Sequence, residues 1–215
     1  DFLNEFMRSS VYSIDSFLEH RTEYMTIGKM NIAANLIIHE NDGTLRQTEN
    51  NWYMYLYDRL KVSFERIKEN KISFVTFNYD RSLEQFLFEA IRCRFGKNSK
   101  ECAEVMKAIP IIHLYGQLDL LEWQSNEGQE YSSHKKFIER LRAAPKNIKL
   151  INDERGVEKS EDFQKAYDLI KNASRIMFIG FSFDETNLER LNTSLMRGGK
   201  SLISTGLGME PSKYR

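Results

Sequence analysis

Apolar residues return every three or four positions through the first third of the chain. From Lys71 onward they gather instead into short runs separated by amphipathic stretches. The first rhythm is that of helices, the second that of strands alternating with helices. In the first third, Ile14 to Leu18 open one helix with Asp15 placed as its cap. Ile27, Met30, Ala33, Ala34, Ile37 and Ile38 mark a second helix, which Asn41-Asp42-Gly43 ends. A third is expected from Trp52 to Lys68, and its stripe of Tyr53, Leu56, Tyr57, Leu60 and Phe64 reads as core.

Beyond Lys71 the pattern predicts strands at Ile72 to Phe77, Ile109 to Tyr115, Ile148 to Ile151, Arg175 to Ile179 and Ser201 to Ser204. Helices are expected between them at Arg81 to Arg94, Ser133 to Arg142, Glu161 to Lys171 and Glu185 to Met196. Such alternation builds βαβ units and a parallel sheet. The expected fold is therefore α/β, a doubly wound Rossmann-like parallel sheet with an N-terminal helical segment over 1–70, in one domain of 215 residues. Asp119 to Ser133, rich in Gln, Glu, Ser and Gly, reads as a loop at the mouth of that sheet.

Composition narrows the chemistry. Lys and Arg number 31 and Asp and Glu 31, so no net field gathers nucleic acid or anionic lipid. The charged stretches Glu65 to Lys71 and Asp153 to Asp162 read as solvated faces. No apolar run nears the roughly 20 residues that span a bilayer. The opening residues also lack a signal-peptide plan, so no membrane association and a cytoplasmic location are expected. Cys93 and Cys102 are the only cysteines and lack CxxC spacing, which leaves two ordinary thiols, no disulfide framework and no metal site. His20, His39 and His134 lie far apart in polar helical settings and read as solvated. The chain opens on Asp rather than Met, so further sequence is expected upstream.

In open parallel sheets, ligands bind beyond the carboxyl ends of the strands. Three of those ends are unusually polar: Thr76-Phe77-Asn78-Tyr79-Asp80, His113-Leu114-Tyr115-Gly116-Gln117 and Gly180-Phe181-Ser182-Phe183-Asp184. Structural roles compete with functional ones at each. Asp80 and Asp184 could cap the helices that follow, and Gly180 could serve a tight turn. His113 could be a base or a core histidine, and residues two apart on a strand share a face, which would set His113 below Tyr115.

These segments carry a resemblance. Thr76 to Glu84 resembles the T-x-N-Y-D segment, with its trailing Leu-Glu, of the bacterial sirtuin-like branch of the sirtuin superfamily. The segments around Leu114-Tyr115-Gly116 and Ile179 to Asp184 are similar to later motifs of that family in the same order, and Tyr12 to Leu18 is similar to a helical segment upstream. The resemblance implies an NAD⁺ site. Thr76, Asn78 and Asp80 would lie near the nicotinamide ribose, Gly180 and Ser182 near the phosphates or adenosine ribose, and Thr205 and Gly206 near the adenosine. It further implies Asn78, His113 and Tyr115 as catalytic residues, with Asn78 placing a water or ribose hydroxyl.

The sequence departs from the family in three places. The catalytic histidine position is Tyr115, the four cysteines of the deacylase zinc ribbon are missing, and the glycine-rich turn that cradles pyrophosphate belongs upstream of Asp1. Gly206-Leu207-Gly208 has no adequate helix after it to replace that turn. What the resemblance then implies is hydrolysis of NAD⁺ to nicotinamide and ADP-ribose, in a domain of a longer prokaryotic defence-type protein or in a homo-oligomer. A non-catalytic NAD⁺ or ADP-ribose binding and oligomerisation module is the alternative, and NAD⁺-dependent deacylation comes behind both. Nicotinamide-linked redox chemistry is disfavoured because no glycine-rich turn precedes an acidic residue at the required distance.

Overall fold

Before position 71, every regular element among the described residues is helical: α1 (Phe2–Arg8), α2 (Ile14–His20), α3 (Met25–His39), α4 (Asp42–Leu45) and α5 (Trp52–Arg59), with 3₁₀ turns at Thr22–Tyr24 and Phe64–Glu69. The computed structural model describes residues 2–11, 13–47, 51–60, 63–132, 136–150 and 160–206. The expectations for Tyr12, Ser133, His134, Ile151, Leu207 and Gly208, and for most of Asp153 to Asp162, fall outside the described residues. The chain divides into two units, Asp1–Arg155 and Gly156–Arg215.

Local chemistry corrects two of the helical expectations. The cap of α2 is Ser13 rather than Asp15, because extended Ser13 turns its hydroxyl onto the Ser16 N–H at 3.1 Å while Asp15 already lies within the first turn. The long helix expected from Trp52 to Lys68 is two pieces, since the backbone is extended at Ser63 before the 3₁₀ turn begins. Its aromatic stripe is core as expected: Leu60 is buried with Ile67, Phe86, Leu87 and Ile91, and Tyr53, Tyr57 and Phe64 pack against them. In α3, Ala33 and Ile37 are buried with Ala144 and Ile148, whereas Ile27 and Ile38 face outward. His20 and His39 are exposed, also as expected.

The rest of the first unit is built from β1 (Phe74–Thr76), α6 (Ser82–Phe95), α7 (Ser99–Met106), β2 (Ile111–His113) and α8 (Phe137–Asn147). Strands β1 and β2 are parallel, with Phe74 opposite Ile111 and Thr76 opposite His113. The connection between them carries α7, which sequence reading missed. Its signal was present, because Asn98 and Glu101 close a reciprocal capping box.

The strand expected at Ile148 to Ile151 is not formed over the described 148–150. Ile148 and Leu150 are buried, and Lys149 N–H donates a backbone hydrogen bond, 2.8 Å, to Tyr115 O. That segment runs against the turn after β2 so closely that a Cβ on Gly116, whose φ is +81°, would lie 2.0 Å from Asn147 O.

The second unit holds α9 (Glu161–Asn172), β3 (Arg175–Phe178), α10 (Glu185–Arg190), a 3₁₀ turn at Thr193–Met196 and β4 (Ser201–Ser204). The helix expected as far as Met196 stops at Arg190, where the chain turns through Asn192 at φ +51°. Strands β3 and β4 are parallel from Arg175 opposite Ser201 to Phe178 opposite Ser204. The chain is thus mixed α/β, and its strands among the described residues form two two-stranded parallel sheets. No helix among the described residues is long and apolar enough to cross a membrane.

Candidate functional site

The carboxyl end of the β1–β2 pair is stitched past the strands themselves. Leu114 N–H donates to Thr76 O at 2.9 Å and Leu118 N–H to Tyr79 O at 2.8 Å, so both post-strand turns are fixed on one rim. Thr76 Oγ1 accepts the Asn78 N–H at 3.1 Å, which bends the chain directly after β1. Asn78 is exposed there. Its side-chain amide has no hydrogen-bond partner among the described residues, while its backbone carbonyl is held by His113 Nδ1 at 2.7 Å.

His113 is 8% exposed, and its other ring nitrogen, Nε2, lies 2.6 Å from Glu84 Oε1 on α6. A carbonyl can only accept, so Nδ1 carries a proton, and the 2.6 Å contact to the carboxyl group needs a second proton between its partners. Burial pulls the imidazole pKa down, but the hydrogen bond and charge of Glu84, with the Asn78 carbonyl and the charge of Asp80, outweigh it. His113 is therefore held above its ordinary value. Glu84 is 2% exposed, and its Oε1 also accepts from Gln117 Nε2 at 3.2 Å. Its Oε2 is buried without a partner among the described residues.

Asp80 does not cap α6, whose cap position is Arg81, and its side chain instead holds Ser82. Its Oδ1 accepts from the Ser82 N–H at 3.1 Å and from the Ser82 hydroxyl. That hydroxyl is 2.5 Å from Tyr53 Oη, and burial pushes the Tyr53 phenol up to about 12. Tyr115 departs from the expected alternation because β2 ends at His113. Tyr115 is 2% exposed in the following turn, its ring against Phe77 with centroids 5.6 Å apart.

Two groups that sequence reading missed brace this rim. Arg81 is fully buried and gives all five of its N–H donors to the chain. It forks onto Glu40 at 2.6 and 2.8 Å and reaches the carbonyls of Leu120, Gln129 and Glu130. Asp119 joins it at 2.6 Å, and Arg140 closes the quartet through Asp119 at 2.6 Å and Glu40 at 3.0 Å. The quartet is electrically balanced, and it pins the 119–130 loop. Beside that loop opens a cleft of about 560 Å³, its walls including Gln117, Gln129, Lys136, Arg140 and Asn147. Glu84 had its own signal in the sequence, a carboxylate in line with Leu87 and Ile91 on the apolar face of α6.

The remaining expected residues belong to the second unit. Gly180, at φ +61°, donates its N–H to Thr205 Oγ1 at 3.0 Å, and Thr205 N–H reaches Phe178 O at 3.0 Å, so this turn crowns the carboxyl end of β3–β4. Ser182 is exposed between Phe181 and Phe183, whose rings meet each other and Phe178 at 5.1–5.5 Å. Gly206 ends the described stretch. Asp184 caps α10 by accepting the Asn187 N–H at 3.1 Å. The structure thus brings Thr76, Asn78, Asp80 and His113 to one rim, and sets Gly180, Ser182, Thr205 and Gly206 at another strand end in the other unit. Among the described residues, no cluster of three or more His, Cys, Asp or Glu could hold a metal ion. No family model matches the chain, and neither the curated proteins nor the solved structures give a match.

Proposed function

We propose that this chain is a cytoplasmic NAD⁺-binding domain of doubly wound, sirtuin-like type that hydrolyses NAD⁺ to nicotinamide and ADP-ribose. The observation that carries the reading is Asn78. It is an exposed amide at the carboxyl end of a parallel strand pair, with its own backbone clamped from below. Nicotinamide leaves as a neutral base when the bond to C1′ of the ribose breaks, and positive charge develops on the sugar. A water then forms the new C1′–O bond and gives its proton to solvent. Such a step needs a placed water and fixed dipoles more than a strong base. Asn78 Oδ1 can accept from that water and orient it.

Nicotinamide release tests this directly. Asn78→Ala should lower NAD⁺ turnover by roughly 10²- to 10⁴-fold with the fold intact by circular dichroism. Turnover equal to the parent's would remove Asn78 from the mechanism.

A second reading, binding without turnover, is favoured by one observation. Both ring nitrogens of His113 are engaged within the protein, so it is not free to accept a proton from substrate. Calorimetry with NAD⁺ and ADP-ribose beside the release assay separates the two, since heat of binding without nicotinamide release is the signature of the module.

A further inference from the structure

His113 stands between two acceptors, and what it does depends on how many protons it holds. With both nitrogens protonated it serves the Asn78 carbonyl at 2.7 Å and the Glu84 carboxylate at 2.6 Å together. With one proton it can serve only one of them. The contact to a carboxylate is charge-assisted and roughly twice as strong as one to a neutral carbonyl, so the proton stays with Glu84 and Asn78 is let go. Asn78 would then be tied to the rim through its N–H bond to Thr76 Oγ1, while its neighbour Tyr79 stays held by the Leu118 N–H.

We propose that Glu84 is a positioning residue acting through His113, and that the Glu84–His113 pair is a proton-operated clamp on the Asn78 turn. The groups facing the pair set its sign. Glu84 comes from α6, Asp80 from the turn after β1, and Tyr53 on α5 reaches Asp80 through Ser82. The two carboxylates favour the charged ring, and Tyr53 remains a neutral phenol near pH 7. Because the folded-state pKa of His113 is raised, the clamp is fully closed below the ordinary histidine value of about 6.5. It opens as pH rises through the higher folded value.

The inference rests on Asn78 being functional, but its first test does not. Nitrogen-15 correlation spectra of the ring in the intact chain should show both His113 nitrogens protonated at pH 6.5. The Asn78 and Tyr79 backbone signals should move with the same midpoint as the ring when pH is raised. A ring singly protonated at pH 6.5, or backbone signals indifferent to its titration, overturns the clamp. Glu84→Gln keeps the shape and removes the charge. It should bring the ring midpoint down, and in the release assay lower kcat more than KM while moving the upper limb of the pH profile to lower pH. A parent-like pH profile for Glu84→Gln also overturns it. If the parent protein releases no nicotinamide but its ring and backbone titrate together, the hydrolase reading falls and the clamp stands.

Discussion

Two parallel strand pairs, each ending in a polar turn, are supported in opposite ways. At β1–β2 the turn is underpinned by buried charge, with Glu84 and His113 beneath Asn78 and the Arg81 quartet beside it. At β3–β4 both strands are largely exposed, Met177 at 51% and Leu202 at 53%, and the turn is held by the Thr205 hydroxyl, three phenyl rings and a helix cap. Buried ion pairs are weak evidence for stability, since desolvation offsets most of the attraction, but breaking one is costly. The first rim is therefore rigid only while its charges stay paired, whereas the second depends on local bonds that fail one at a time.

The largest expected effect follows from that contrast. Arg81→Ala takes one of two arginine partners from Glu40, at 4% exposure, and one of two from Asp119, leaving both carboxylates to share Arg140, and it frees the carbonyls that pin the 119–130 loop. A loss of about 3–5 kcal/mol is expected. Both tryptophans, Trp52 and Trp123, lie in the first unit, so the urea midpoint of tryptophan fluorescence reads this loss without interference from the second. The exposed pair Lys165–Glu161 on α9, at 2.7 Å, is the counterpart, and Lys165→Ala, followed by circular dichroism because Gly156–Arg215 carries no tryptophan, should leave stability unchanged within error. Equal shifts for the two variants would dissolve the distinction between the units.

Glycine sharpens it next. Gly116 and Gly180 both have positive φ, but Gly116 has Asn147 O where its Cβ would go, and Gly180 has nothing within 4 Å. Gly180→Ala should cost only the left-handed strain, about 1–2 kcal/mol. Gly116→Ala must also push the 147–150 segment away and lose the Lys149 to Tyr115 hydrogen bond, so it should cost more. Hydrogen exchange at Lys149 checks the cause: faster exchange in Gly116→Ala, with no change in Gly180→Ala.

The same contrast explains what could be read from the chain. The four strands among the described residues each hold two or three adjacent apolar residues, Phe74-Val75, Ile111-Ile112, Ile176-Met177-Phe178 and Leu202-Ile203, a pattern contained within a few positions. The α6 and α9 stripes are equally local. The quartet was not legible, because Glu40, Arg81, Asp119 and Arg140 each pass for an ordinary surface charge until the fold brings them together across 100 residues of sequence. Ile148 to Leu150 failed for the same reason in reverse. Its composition is that of a strand, but a strand also needs a partner backbone, and the neighbouring chain has already turned at Gly116. Asn78 could be found from its motif, whereas the His113 contact that clamps it depended on where β2 ends.

The smallest effect concerns the two aspartates that close the matched segments. Asp184 is a true cap, accepting the Asn187 N–H at 3.1 Å and starting a helix of six residues. A helix that short leans heavily on its cap, so Asp184→Ala should cost about 1 kcal/mol, while Asp184→Asn, an equal cap, should cost almost nothing. Asp80 only resembles a cap. The cap position of α6 is Arg81, and the Asp80 carboxylate is bound to Ser82 and lends negative charge to His113. Asp80→Asn therefore should not be silent: by removing that charge it should lower the His113 midpoint, though by less than Glu84→Gln does. An Asn that is harmless at 184 yet shifts the histidine from position 80 would separate a carboxylate used for its shape from one used for its charge. Silence at both positions would mean that Asp80, too, is merely a turn residue.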